Sequence, residues 1–381
     1  AEYAVGTEVA AQWGRQVLEA VGVRDGFGVV RTADVPLDQE AWHDLDDEAG
    51  WIDATLADLP GQDLPPVLTQ LVAVQDLDLV RDEAWPAVLD TLAADPRTRP
   101  AVVEPAYVLL ADGTRHAVRS YTAWWLRTHA RLEGRALGLL CAADAEPVVR
   151  RLLTPIPVEL DGGLIQALEL ARTVRDLVDR PAELLDRLAD PDVELSADDL
   201  TQVYRALVEA APDPQTVPVP ARVRVPDGEG TRLAAAADVV VVTGPHWLQL
   251  GLSAVLPGPA ALANLLDVAL AAELHDPAPD SDGAAAAVPD VVRRLAAGLP
   301  DAYVEHDDLI VAGRSVEWWV DEDGTVHAAT ADGLARGLAW AAGRWELRLE
   351  LAEALRDPDA VPALLAERAF AADPADQPWS G

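Results

Sequence analysis

The chain has 381 residues, half of them hydrophobic: enough for two or three packed domains, and too many for wholesale disorder. Its basic residues are 29 arginines and no lysine, against 65 acidic residues, for a formal charge of −36. A chain this acidic repels phosphate backbones and anionic membranes, so neither a nucleic-acid partner nor a membrane is expected. The opening "AEYAVGTEVAAQWGR" lacks a basic start and an apolar signal core, and no apolar run nears the roughly 20 residues of a membrane span. A cytoplasmic location is therefore expected. A start at Ala1 and the complete lack of Met are expected of a piece cut from a longer protein. The single cysteine, Cys141, excludes an internal disulfide and reads as a small buried hydrophobe.

In chain order, Val9, Trp13, Val17 and Val21 recur at helical spacing over residues 3–21, with Gly22 as a stop signal. "VRDGFGVVRTADV" reads as a turn and a strand. "DLDDEAGWIDATLADLP" and "RDEAWPAVLDTLAADP" read as helices, the first opened by aspartates and closed by Pro60. "AYVLLADGTRHAVRS" is a hairpin about Asp112-Gly113, and Ser120 is the expected N-cap of "YTAWWLRTHARLEG". Residues 146–212 read as helical throughout, with a capping box at Ser196–Asp199 and a stripe of Leu200, Val203, Tyr204, Leu207 and Val208. "APDPQTVPVP" is a proline-rich linker. Beyond it, "ARVRV" and "DVVVV" are strands, and Leu262 to Leu274 form one helix. "HDPAPDSDGAAAAVPD" is a loose loop, and "AYVEH", "DLIVA", "SVEWWV" and "TVHAA" form a meander. A long helix through Leu334 and Leu349 and a short one at "PALLAERAF" complete the chain. The pattern predicts an α+β fold: two mixed lobes of helices and antiparallel strands, residues 1–145 and 221–381, joined by an all-helical segment at 146–212.

Motifs for chemistry are scarce. Without lysine a standard P-loop is excluded, and no G-x-G-x-x-G follows a strand. Asp25-Gly26-Phe27-Gly28 reads as a turn. In "VDEDGTV", Asp321, Asp323 and Gly324 match the third, fifth and sixth places of a calcium loop, but its first and twelfth places fall on Trp319 and Thr330. "HDLDDE" (43–48) and "EHDD" (305–308) lack the histidine spacing of a helical zinc site, so no metal or other cofactor is expected. No G-x-S-x-G elbow exists, and the seven histidines, His43, His116, His129, His246, His275, His306 and His327, are dispersed. His246, just past a strand end, is the candidate site; a neutral turn histidine is the favoured alternative. Two tandem pairs stand out, Trp124-Trp125 and Trp318-Trp319. Adjacent residues point in different directions, so either one member of each pair is an exposed anchor for a partner or both are held between two packed layers. Trp247 reads as a packing residue at its turn.

"ARVRVPDGEGTRLAAAADVVVVTGPHWLQL", "AVGVRDGFGVVRTADVPLD", "WHDLDDEAGWID", "EPAYVLLADGTRHAVRSYTAWWLR" and "ADGLARGLAWAAGRWELR" together resemble the C-terminal region of bacterial sacsin-type, chaperone-like ATPases. The resemblance runs across most of the chain. It implies a GHKL-type ATPase domain elsewhere in the same protein, because that domain's Asn-x-x-Asp-Ala helix and Asp-x-Gly-x-Gly loop have no counterpart here. It also implies a non-catalytic scaffold that binds a protein partner or client. Two alternatives stay open: an enzyme with a site near His246 or His129, and a free-standing acidic interaction module.

Overall fold

The computed structural model describes residues 7–21, 26–37, 43–60, 65–214 and 217–368. Residues 3–6, Gly22, Asp25, positions 215–216 of the linker and the tail beyond 368 lie outside the described residues. The fold is α+β, and it divides into two compact units at Arg180/Pro181. Residues 146–180 of the helical segment belong with the first unit and 181–212 with the second.

The first unit begins with α1 (Thr7–Trp13) and α2 (Arg15–Ala20). The single helix expected here is broken at Gly14, whose φ of 72° is open to glycine but costly for other residues. Then come β1 (Val29–Pro36), α3 (Glu48–Ala57), β2 (Val67–Val74), α4 (Trp85–Ala94), α5 (Arg99–Val103), β3 (Ala106–Leu109), β4 (Arg115–Val118) and α6 (Tyr121–His129). Short pieces follow: β5 (Arg131–Leu132), β6 (Arg135–Ala136), β7 (Leu140–Cys141), α7 (Pro147–Leu152), β8 (Thr154–Pro155), α8 (Gly162–Ala167) and α9 (Val174–Val178). β8 pairs in parallel with β7, so 146–212 is not helical throughout.

Strands β1 to β4 form one antiparallel sheet in sequence order. β2 was not read from the sequence, because a bulge between Leu68 and Gln70 shifts its alternation and puts Leu68, Leu71 and Ala73 all in the core. The core joins these to Trp51 of α3, Trp85 and Leu89 of α4, and Tyr121 and Trp125 of α6. Ser120 caps α6 as expected: its oxygen accepts from Ala123 N at 3.1 Å while its hydroxyl donates to Val102 O. Thr122, fully buried, accepts at Oγ1 from the Val74 N–H at 3.0 Å, at the end of β2. Thr122→Val keeps the shape but strands that buried N–H. The expected cost is about 1–3 kcal/mol, read by urea unfolding.

The second unit contains α10 (Pro181–Leu188), α11 (Ala197–Ala210), β9 (Arg222–Asp227), β10 (Gly230–Ala235), β11 (Val240–Val242), β12 (Val255–Pro257), α12 (Ala260–Leu266), β13 (Ala269–Leu270) and α13 (Ala271–Leu274). It continues with β14 (Ala284–Ala287), α14 (Asp290–Arg293), β15 (Ala302–Glu305), β16 (Leu309–Val311), β17 (Arg314–Val316), β18 (Trp318–Val320), β19 (Val326–Ala328), α15 (Ala331–Ala341), α16 (Arg348–Arg356) and α17 (Val361–Arg368). The Ser196 capping box opens α11 as expected. The helix expected over 262–274 is interrupted at Asp267, left-handed at φ 51°, and β13 intervenes. The final long helix breaks at Gly343 (φ 65°) into α15 and α16.

Strand pairing departs most from the sequence pattern. β11 runs parallel to both β12 and β13. The expected loop holds β14, which joins a sheet ordered β14-β15-β19-β18 in which β15 and β19 are parallel. β16 and β17 form a hairpin of their own, so the four segments are not a plain meander. Val326, Ala328 and Val320 turn one face of the sheet toward α15, and Trp319 turns the other toward Val242, Trp247, Leu309 and Val311. Gly333 lets α15 approach closely: a Cβ there would stand 2.2 Å from the Glu317 carbonyl oxygen.

Candidate functional site

Both expected tryptophan pairs are buried, so neither supplies an exposed anchor. In the first unit, Trp124 and Trp125 are 8% and 4% exposed. Trp125 stacks on His129 (centroids 4.9 Å apart, planes 18° apart), lies 5.8 Å from Trp85, and donates from Nε1 to Asp46 Oδ2 at 2.8 Å. Trp124 meets the His129 ring edge-on at 5.6 Å. His129 Nε2 is 3.2 Å from Asp47 Oδ2. Asp47 also caps α3, accepting from Gly50 N. The stretch at 43–48 is thus absorbed by packing: His43 pairs with Glu48 at 2.7 Å, and Tyr121 donates its hydroxyl to Asp46 O at 2.6 Å. Burial, with the carboxylates around it, raises the Tyr121 phenol well above its ordinary range, so it stays a neutral donor. Among the described residues, no three histidine, cysteine, aspartate or glutamate side chains could hold a metal ion.

In the second unit, His246 is the second residue of a 3₁₀ turn at 245–250 and is 6% exposed. Four indoles wall it in: Trp319 at 4.6 Å, Trp247 at 5.6 Å, Trp318 at 5.7 Å and Trp340 at 6.4 Å between centroids. Trp318 and Trp319, on opposite faces of β18, are 2% and 0% exposed. Gly244 makes room for the ring, since a Cβ there would lie 2.5 Å from His246 Cε1. Gln249 ties the turn to β18, donating to Trp318 O and accepting from Glu317 N. His246 Nδ1 is buried without a hydrogen-bond partner, and burial pushes the imidazole down to about 4. A neutral histidine boxed by indoles packs; it offers no base to solvent. Cys141 is equally withdrawn: fully buried, its thiol is pushed up to about 11 by burial.

A polar chain that the sequence did not disclose runs beside this box. The Ser281 hydroxyl is 3.1 Å from His306 Nδ1, His306 Nε2 is 3.0 Å from His327 Nδ1, and His327 Nε2 is 3.3 Å from Asp321 Oδ2. The parallel pairing of β15 with β19, which sets Val304 opposite His327, brings the two rings together. His306 and His327 are buried, and His306 is held below its ordinary pKa by burial and by His327. Asp321 also accepts from Thr325 N at Oδ1, so the calcium-like loop is a turn.

Surface features are of a different kind. Val9, Trp13, Val17 and Val21 are 43%, 56%, 47% and 73% exposed, and Trp13 is the one exposed tryptophan among the described residues. A groove beside the β9–β10 hairpin holds Arg224, but that guanidinium is engaged by Leu188 O, Asp190 O and Thr231 Oγ1. Among the described residues, no helix is long and apolar enough to cross a membrane. No family model, curated protein or solved structure matches the chain.

Proposed function

We propose that this chain is a partner- or client-binding region of a chaperone-like ATPase of the sacsin type, a scaffold without ATPase chemistry of its own, that chemistry lying in a domain elsewhere in the same protein. One observation carries the reading: Val9, Trp13, Val17 and Val21 of the α1–α2 stretch are exposed, whereas the other described tryptophans pack into their units. Exposed apolar residues that include a Trp are the chemistry of a protein-docking surface. The absence of phosphate-binding motifs argues against an ATP site in this chain, and His246 packs rather than reacts.

The direct test is aggregation of a heat-denatured model enzyme, citrate synthase, in the presence of the chain. The wild-type chain is expected to suppress it, and Trp13→Ser/Val17→Ser to require about tenfold more protein for equal suppression, with unchanged far-UV circular dichroism. Equal suppression by both proteins would remove the assigned surface. Micromolar ATP binding by this chain, measured by calorimetry, would remove the assignment as a whole.

A further inference from the structure

The hydrogen-bonded chain from Ser281 to Asp321 has a direction. Asp321 Oδ1 accepts from Thr325 N, which leaves Oδ2 to accept from His327 Nε2–H. His327 Nδ1 is then an acceptor and takes the proton of His306 Nε2–H. His306 Nδ1 is left bare, and the Ser281 hydroxyl donates to it. The Ser281 oxygen in turn accepts from Ile310 N at 3.0 Å, which fixes the rotor. Each side chain in the row has a partner, and the Asp282 main chain bonds the His306 ring as well. The arrangement is a nucleophile in reach of a base, with the base oriented by further groups.

The placement suits that role. Ser281 is half-buried and its neighbours Asp280, Asp282 and Gly283 are exposed, so the serine stands at the surface end of a row whose two histidines are buried. Gly283 passes directly over the base: a Cβ there would lie 2.6 Å from His306 Cε1 and Nε2.

The geometry points to Ser281 as a nucleophile for acyl transfer, with His306 as its general base and His327 and Asp321 as positioning residues that fix the tautomer. In the first step Ser281 Oγ bonds to the carbonyl carbon of an ester while its proton passes to His306 Nδ1. The carbon–oxygen bond to the alcohol breaks as His306 returns that proton to the leaving oxygen. Water, deprotonated by the same nitrogen, then cleaves the acyl-serine, giving the carboxylic acid and free Ser281. The flanking carboxylates of Asp280 and Asp282 repel anions, so the fitting substrates are neutral or cationic esters.

The test uses the full chain with a fluorophosphonate probe, peptide mass spectrometry, and hydrolysis of p-nitrophenyl acetate. Ser281 is expected to be labelled at least tenfold faster than exposed Ser253, and Ser281→Ala to abolish the esterase signal. His306→Gln is expected to slow labelling by about 10²-fold or more, the usual contribution of a general base. Asp321→Asn serves as the variant that keeps the fold. Its carbonyl still accepts from Thr325 N, but its amide now faces His327 as a donor and reverses the row, leaving His306 Nδ1 protonated. Labelling is expected to fall more than tenfold at unchanged Tm, with imidazole ¹⁵N shifts showing the reversed tautomers. Labelling of Ser281 no faster than Ser253 would overturn the inference. So would full labelling in a folded Asp321→Asn protein whose tautomers have reversed.

Discussion

Trp319→Ala is expected to destabilise the second unit by about 3–5 kcal/mol, the range for removing a fully buried tryptophan. Trp319 has no exposed surface, and its ring meets His246 at 4.6 Å and Trp247 at 4.9 Å, within a cluster that includes Leu309, Val311 and Val316. Its Nε1 donates to Pro277 O at 2.7 Å, so truncation opens a cavity and strands a carbonyl at once. Trp319→Phe restores most of the apolar volume but not the donor. It is expected to retain all but about 1–3 kcal/mol, the cost of losing a partly buried hydrogen bond together with some packing. Urea unfolding followed by far-UV circular dichroism reads both. A loss below about 1 kcal/mol for the alanine variant would mean that the indole box does not hold this unit together.

Acidification is expected to weaken the same unit through His246. The unfolded imidazole titrates near 6.5 and the folded one at about 4. Above pH 6.5 both forms are neutral and the group contributes no slope. Between 6.5 and 4 the unfolded chain binds a proton that the boxed ring refuses, so stability falls as pH falls. At about 1.4 kcal/mol per unit, the loss nears 2 kcal/mol at pH 5 and roughly 3 kcal/mol once the folded value is passed. The many carboxylates titrate in the same range, so the informative quantity is wild type compared with His246→Phe. The variant is expected to lose about 2 kcal/mol less than wild type between pH 7 and pH 5. Any offset from its altered volume is present at both pH values and cancels. Parallel stability curves for the two proteins would contradict a neutral buried His246.

Local signals were read well where the physics is local. Ser120 and Ser196 mark helix starts because a side-chain oxygen two bonds from Cα satisfies a free N–H of the first turn without outside help. The turn at Asp112-Gly113 marked a hairpin because glycine there takes φ 84°. β2 escaped because its bulge spoils the alternation that reveals a half-buried strand. β14 escaped because four alanines carry little hydrophobic signal, and only pairing with β15 makes them a strand.

The two histidine sites divide along the same line. His246 is visible in sequence beside its strand, and Trp247, Trp318 and Trp319 are each conspicuous there, but their convergence on one ring comes from segments about 70 residues apart. Ser281, His306, His327 and Asp321 carry no shared motif, since a serine in a loop, a histidine just past one strand and a histidine within another are unremarkable one at a time. By itself the sequence determined composition, charge, the mixed helix and strand class, and the caps and turns, all set by residues within a few positions of one another. Only the tertiary structure decided which strands run parallel, that both tryptophan pairs are covered on two sides, and that one polar row crosses a sheet face. Those depend on pairing between distant segments, and a strand's own residues do not encode which neighbour it meets.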